Sequence, residues 1–215
     1  LALVRVAVLA SGAGTILASL LAQGIEPELV VADRVAPALK HAAARGVATA
    51  LLERSRWGRG PRFDRVGFSV SLEALLEDAG IELVVLAGFM TILAHPFVER
   101  FAGRIVNTHP SLLPSFPGHD AVRQALAAGV RVTGTTVHLV VEEVDAGPIL
   151  EQEPVRVAWD DDVGSLHERI KRVERELYPR VVRALVRVGV EEPLWWTSPR
   201  IRNAIDEEVG PWRGH

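Results

Sequence analysis

The sequence predicts an α/β protein: a mostly parallel sheet with helices on both faces and an antiparallel addition near the C-terminal end. Two observations carry that prediction. Short β-branched runs alternate with stretches of helical period from Val4 to Ala128, the rhythm of strands joined by crossover helices. Beyond Gly129 two longer strand-like runs, Thr133–Val141 and Ile149–Val157, face each other across the loop Glu142–Pro148. That spacing suits an antiparallel pair added to the sheet.

The elements follow in order. Val4–Ala10 is an uninterrupted apolar run and reads as a buried strand. Thr15 to Gln23 places apolar residues at helical spacing and stops at Gly24. Glu28–Ala32 is a second strand, and Pro37 to Arg45 a helix that begins with proline and closes at Gly46. Ala48–Leu52 is a third strand. The stretch Arg54–Arg65, rich in arginine and glycine, reads as a mobile loop. Ser71–Ala79 is a helix ended by Gly80, Leu83–Ala87 a buried parallel strand, Ala94–Phe101 a helix with Pro96 in its first turn, and Arg104–Asn107 a strand. Ala121–Ala128 is a helix closed by Gly129. Ser165–Val188 is one long amphipathic helix, expected to kink or break near Pro179. We expect one domain over residues 1–190 and a tail over 191–215, which holds Trp195, Trp196 and Trp212 and whose packing the pattern does not reveal.

Composition narrows the function classes. The 215 residues are 48% apolar and 24% charged, enough for a hydrophobic core. The net charge of −3 argues against general nucleic-acid binding. No apolar run approaches the roughly 20 residues that span a bilayer, and no basic leader or cleavage site precedes the first strand, so a membrane or secreted location is not expected. The chain has no cysteine, which removes disulfides, thiolate nucleophiles and cysteine-held zinc. The histidines show no metal-ligand spacing, so no metal is expected. A cytoplasmic protein fits, as a monomer or homodimer.

Three clusters carry chemistry. The loop Ser11-Gly12-Ala13-Gly14-Thr15 joins the first strand to the first helix. Glycines let the backbone approach an anion, and the helix start supplies free N–H groups and a favourable dipole. Ser11 and Thr15 could add hydroxyl donors, so we expect a phosphate here. A dinucleotide site is the weaker reading: Leu17 replaces the third glycine, although Asp33 stands near the place of a ribose-binding acid. A Walker A loop fails for want of Gly-Lys-Ser/Thr. The second cluster, Asn107-Thr108-His109-Pro110, lies beyond a strand end in a loop stiffened by Pro110, Pro114 and Pro117. The third is Asp145-Ala146-Gly147-Pro148. Asp before Gly-Pro is also ordinary turn chemistry, and His138, on the preceding strand, reads as a core histidine. Taken together, Asn107 and His109 can both donate to a developing oxyanion, and a carboxylate such as Asp145 favours the protonated imidazole.

These residues resemble the folate-dependent phosphoribosylglycinamide formyltransferase family. The matching strings are SGAGT (Ser11–Thr15), VVLAGFM (Val84–Met90), NTHPSLLPSFPG (Asn107–Gly118), GTTVHLV (Gly134–Val141 without its last residue) and VDAGPIL (Val144–Leu150), in order over about the first 180 residues. The resemblance implies a Rossmann-like formyltransferase fold and transfer of a formyl group from 10-formyltetrahydrofolate to the amine of phosphoribosylglycinamide. It implies His109 as general acid, Asn107 as oxyanion donor and Asp145 as the group that orients His109. It implies a substrate site at Gly12, Ala13, Gly14 and Thr15, with Glu174 contacting the glycinamide part. It implies folate contacts from Arg65, Met90, Thr91, Ile92, Leu93, Asn107, Val141, Glu142, Glu143, Val144 and Asp145, and a cis Leu113–Pro114 bond. The family commonly has asparagine where Ile16 stands and arginine where Thr91 stands, and it places histidine where Asp120 stands. The same domain occurs in methionyl-tRNA formyltransferase and formyltetrahydrofolate deformylase, but the length here leads us to expect the free glycinamide substrate. A formyltetrahydrofolate hydrolase and a non-catalytic nucleotide-binding module remain as alternatives.

Overall fold

The computed structural model describes residues 4–190 and 195–211. Seven strands form one sheet in the order β3-β2-β1-β4-β5-β6-β7. They are β1 (Val6–Ala10), β2 (Leu29–Ala32), β3 (Ala48–Leu51), β4 (Leu83–Leu86), β5 (Ile105–His109), β6 (Val132–Leu139) and β7 (Ile149–Arg156). The first five are parallel, while β6 runs antiparallel to β5 and β7 antiparallel to β6. The helices are α1 (Thr15–Ala22), α2 (Pro37–Ala43), α3 (Arg65–Asp78), α4 (His95–Arg100), α5 (Ala121–Ala127), α6 (Val163–Val188) and α7 (Pro199–Val209).

Strand alternation sorts the core onto the two sheet faces. Val6, Val8 and Ala10 face a cluster with residues of α1, α2, α6 and α7. Ala7 and Leu9 face a second cluster built from α3 and α4. Phe68, Leu72 and Leu76 of α3 and Phe97 of α4 are fully buried there. Such burial contributes roughly 1.5–3 kcal/mol per large apolar side chain. A third, smaller cluster joins α5, β7 and the start of α6 through Val122, Val155 and Leu166.

Several expected boundaries move, each for a local reason. Helix α6 runs unbroken through Pro179. Proline removes the N–H that would reach the Arg175 carbonyl, and that carbonyl instead accepts from the hydroxyl of Ser19 on α1 and, at 3.2 Å, from Nε2 of Gln23 just after it. The helix also starts earlier than expected, because Asp162 and Ser165 form a reciprocal cap. The stretch read as a mobile loop holds two short 3₁₀ turns, Arg54–Trp57 and Gly60–Arg62. Trp57 meets Phe68 edge-on at 5.4 Å, and Arg54 stacks over Phe63 at 4.2 Å. Helix α3 therefore begins at Arg65, six residues before the expected Ser71, with Asp64 accepting from the Gly67 N–H. Of the tail, Trp195 donates through Nε1 to the Gly103 carbonyl at 2.8 Å, and Ile201, Ala204 and Ile205 of α7 join the main core cluster. Trp212 lies outside the described residues. The Leu113–Pro114 bond is cis.

Candidate active site

Ligands of parallel α/β sheets collect beyond the carboxyl ends of the strands. Four segments meet there: the turn after β1, the segment after β4, the end of β5 with its proline-rich loop, and the loop between β6 and β7.

The turn after β1 is held by Gly14, whose backbone is left-handed at φ 75° and caps α1. A Cβ there would lie 2.8 Å from the Ala38 backbone, so only glycine fits without a shift. Gly12, Ala13 and Thr15 are exposed around the start of α1, where the first helical N–H groups lack intrahelical acceptors. Ile16 is buried in the core. Ser11 does not face the cleft as a free donor. Its hydroxyl accepts from the Met90 N–H at 2.8 Å and donates to Asp33.

Asp33 closes β2 with a fully buried carboxylate. Arg34 holds it through Nε at 2.9 Å and Nη2 at 3.1 Å, and the Thr91 hydroxyl donates to Oδ2 at 2.7 Å. Burial raises its pKa, but the hydrogen bonds from Arg34, Thr91 and Ser11 outweigh burial and hold the carboxyl below its ordinary value. With its oxygens engaged this way, Asp33 is not presented to a ribose.

The segment after β4 presents Met90 and Ile92 to solvent, buries Leu93, and turns Thr91 inward to Asp33. The first turns of α3 lie beside it, since the Ser69 hydroxyl accepts from the Ala94 N–H at 2.9 Å. Arg65 opens that helix with an exposed side chain. The facing loop carries Val141, Glu142, Glu143 and Val144, all exposed. His95 Nδ1 lies 3.2 Å from Glu142 Oε2 and joins this loop to the start of α4. The two walls thus leave apolar side chains uncovered on either side of the His95–Glu142 contact, a surface suited to a flat aromatic ring with a few polar edges.

Asn107 and His109 both lie within β5, which runs two residues past the expected end at Asn107. Both point to the same face because side chains alternate along a strand. The antiparallel register sets His138 of β6 opposite Asn107 and Thr136 opposite His109. The loop that follows is pinned to β6 and β7. The Thr136 hydroxyl donates to the Ser111 carbonyl at 2.6 Å and accepts from the Leu113 N–H at 3.0 Å, and Gln152 Nε2 donates to the Leu113 carbonyl at 2.8 Å.

Asp145 arrives from the β6–β7 loop in a left-handed conformation, φ 57°. Its Oδ2 lies 3.3 Å from His109 Nδ1 and accepts from the Gly118 N–H at 2.8 Å. The His109 and Asp145 side chains are only 7% and 9% exposed. The other ring nitrogen of His109 sits 2.9 Å from the Phe116 carbonyl. Both nitrogens therefore face oxygens that only accept, an arrangement that the imidazolium satisfies in full.

His138 is the site member that sequence reasoning missed. Its Nδ1 lies 2.9 Å from the Leu139 carbonyl, its Nε2 3.3 Å from Asn107 Nδ2 and 3.6 Å from Asp145 Oδ1. Burial pushes its pKa down, more than the Leu139 carbonyl and Asp145 push it up. The neutral ring carries its proton on Nδ1, toward the carbonyl, and its Nε2 accepts from the Asn107 amide. That contact fixes which way the Asn107 side chain is turned. The sequence offers only a histidine on a neighbouring strand; the register that sets it opposite Asn107 comes from the structure.

Glu174 is not joined to this cluster directly. It is half-buried on α6 and takes a hydrogen bond from Thr108, which faces the opposite side of β5 from Asn107 and His109. Burial raises its pKa, with Thr108, Lys171 and Arg175 opposing.

Residues 4–182 match the formyl transferase family. Among curated proteins, the phosphoribosylglycinamide formyltransferase of Mycobacterium tuberculosis is 47% identical over 188 residues, covering 86% of this chain and 86% of that protein. The trifunctional purine biosynthetic protein adenosine-3 of Gallus gallus is 41% identical over 204 residues, covering 90% of this chain and 20% of that protein. The chain thus spans about a fifth of that longer relative. The crystal structure of glycinamide ribonucleotide transformylase 1 from Symbiobacterium toebii superposes with a TM-score of 0.79 at 38% identity, over 86% of this chain and 88% of that one.

Proposed function

Because the chain belongs to the formyl transferase family, we propose that it transfers a formyl group from 10-formyltetrahydrofolate to the amine of phosphoribosylglycinamide, a step of purine biosynthesis. The names of its relatives support the acceptor. The absence of cysteine and of any helix long and apolar enough to cross a membrane among the described residues is in keeping with an enzyme of the cytoplasm.

The proposed roles divide between two ends of the cleft. The N–H groups around Gly12, Ala13, Gly14 and Thr15 take the substrate phosphate. Met90, Ile92, Leu93, Val141 and Val144 offer apolar contact to the folate ring, with Arg65, Glu142 and Glu143 at the rim and Thr91 contributing its backbone. Between them the acceptor amine attacks the formyl carbon, a C–N bond forms, and the carbonyl oxygen gains charge. Asn107 donates to that oxygen through its amide, held in place by His138. His109 donates as well and then delivers its proton to the departing folate nitrogen as the second C–N bond breaks. The amine's surplus proton leaves to solvent or to the carboxylate. Asp145 aims the imidazole and faces its charged form. Release of the Nε2 contact to Phe116 frees that proton when the reacting groups arrive. Glu174 serves the glycinamide part through the Thr108 side of β5.

The observation that carries the reading is the 3.3 Å approach of Asp145 to His109 with Asn107 on the same strand face. Removing one preorganised oxyanion donor typically costs ~100–1000-fold in rate, so the trio is an expensive arrangement for a protein that only binds nucleotides. The test is a direct assay with both substrates. Formylated product that forms only when the amine is present supports the proposal. Formate released at the same rate without the amine identifies a hydrolase and overturns it.

A further inference from the structure

The carboxylate of Asp33 is buried among parts of the two ligand walls, and the proposed chemistry gives it no role. It sits at the carboxyl end of β2, between the turn after β1 and the segment after β4. Its partners are Arg34, the Thr91 hydroxyl and the Ser11 hydroxyl. Ser11 in turn accepts from the Met90 N–H, and the Ser11 N–H donates to the Gly88 carbonyl at 3.2 Å. One carboxylate and one hydroxyl therefore clip two consecutive residues of the folate wall, Met90 by its backbone and Thr91 by its side chain, to the loop of the phosphate end. Apart from the neighbouring Arg34, both side-chain donors come from these two walls.

Resting on the proposed function, we propose that Asp33 is a positioning residue that sets the distance between the phosphate-binding turn and the folate-binding segment. A buried carboxylate accepts only, and it needs donors on every side. The donors available pull the two walls to a common point. Thr91, short and uncharged, is held there as a strut by its hydrogen bond to Asp33. Arg34 supplies the neutralising fork from the solvent side.

The amide of Asp33→Asn tests this cleanly. Oδ1 meets Arg34 Nε, and Oδ2 meets Arg34 Nη2 and Thr91. Either amide orientation sets its NH₂ group against a guanidinium N–H, which cannot reverse to accept. We expect Asp33→Asn to raise KM for both phosphoribosylglycinamide and 10-formyltetrahydrofolate about tenfold, with kcat falling less than about threefold. Thr91→Val should raise KM for the folate alone about fivefold, and Thr91→Ser should restore it. A purely structural ion pair would instead lower thermal stability and the fraction of active protein while both KM values held.

The measurement is steady-state kinetics in both substrates on variants shown to be folded by circular dichroism. A folded Asp33→Asn protein whose KM values both stay within about twofold of the parent, or which loses only kcat, overturns the proposal. If Asp33→Asn fails to fold, Thr91→Val decides: an unchanged folate KM overturns it. If the parent transfers no formyl group, the functional reading falls instead. Calorimetric titration of the same variants with inorganic phosphate and with folic acid then reads the positioning, and affinities equal to the parent's overturn it.

Discussion

Replacing Asp145 by asparagine should remove charge from the centre of the cluster while leaving its shape. In the parent, Oδ2 faces both His109 Nδ1 and the Gly118 N–H, whereas Oδ1 faces only His138 Nε2, at 3.6 Å. The neutral His138 ring has one lone pair at Nε2, which the new amide would share with the Asn107 amide. The new amide can therefore keep its oxygen toward His109 and Gly118 and turn its NH₂ toward His138. What is lost is the attraction between a carboxylate and an imidazolium 3.3 Å apart. Coulomb's law gives about 5 kcal/mol for that pair at an effective dielectric near 20, and each ~1.36 kcal/mol off a barrier is tenfold in rate. Solvent relaxation returns part of the loss, so the expected fall in kcat is ~100- to 10,000-fold, in the range assigned to general acid catalysis. KM for both substrates should change little. Initial rates with saturating 10-formyltetrahydrofolate and phosphoribosylglycinamide provide the assay. A folded Asp145→Asn protein that keeps kcat within about fivefold would refute the electrostatic role and leave Asp145 as a brace for the loop at Gly118.

Two further predictions address the substrate end. A Cβ at Gly12 meets no atom within 4 Å, and the backbone there is not left-handed. Gly12→Ala should therefore melt close to the parent by calorimetry yet raise KM for phosphoribosylglycinamide; an unchanged KM would show that the substrate phosphate does not approach this backbone. For Glu174, the folded-state pKa is raised by burial. A raised carboxyl pKa means that its contribution to stability is fully present below the unfolded value of 4.5 and is lost as pH rises through the folded value. Glu174→Gln should accordingly gain melting temperature over the parent at pH 8 relative to pH 4. An equal difference at both pH values would contradict the burial argument.

Much of the fold was legible because the central parallel strands β1, β2 and β4 are buried on both faces and read as short apolar runs, and because glycines mark the turns that follow many of the helices. What escaped depends on partners far away in sequence. Pro179 predicts a break only while the Arg175 carbonyl is thought to lack a donor, and the donors, Ser19 and Gln23, sit some 150 residues earlier in the chain. The segment before α3 reads as a loop by its arginines and glycines, but Trp57 and Phe63 anchor it on Phe68. In the site, Asn107, His109 and Asp145 stand out as residue types placed at strand ends and turns. His138 does not, because only the antiparallel register of β5 and β6 reveals that it faces Asn107. Ser11 and Thr91 look like ligand donors in the sequence, and the buried Asp33 carboxylate claims both hydroxyls.

The most direct examination of the cluster is single-turnover formyl transfer by His109→Ala, with substrate binding followed separately by fluorescence titration. With its imidazole gone, the protein should bind both substrates within about threefold of the parent yet form product at least ~100-fold more slowly. Product formed at the parent's rate would contradict the account, since it would mean that the charged pair beside Asn107 takes no part in the chemistry.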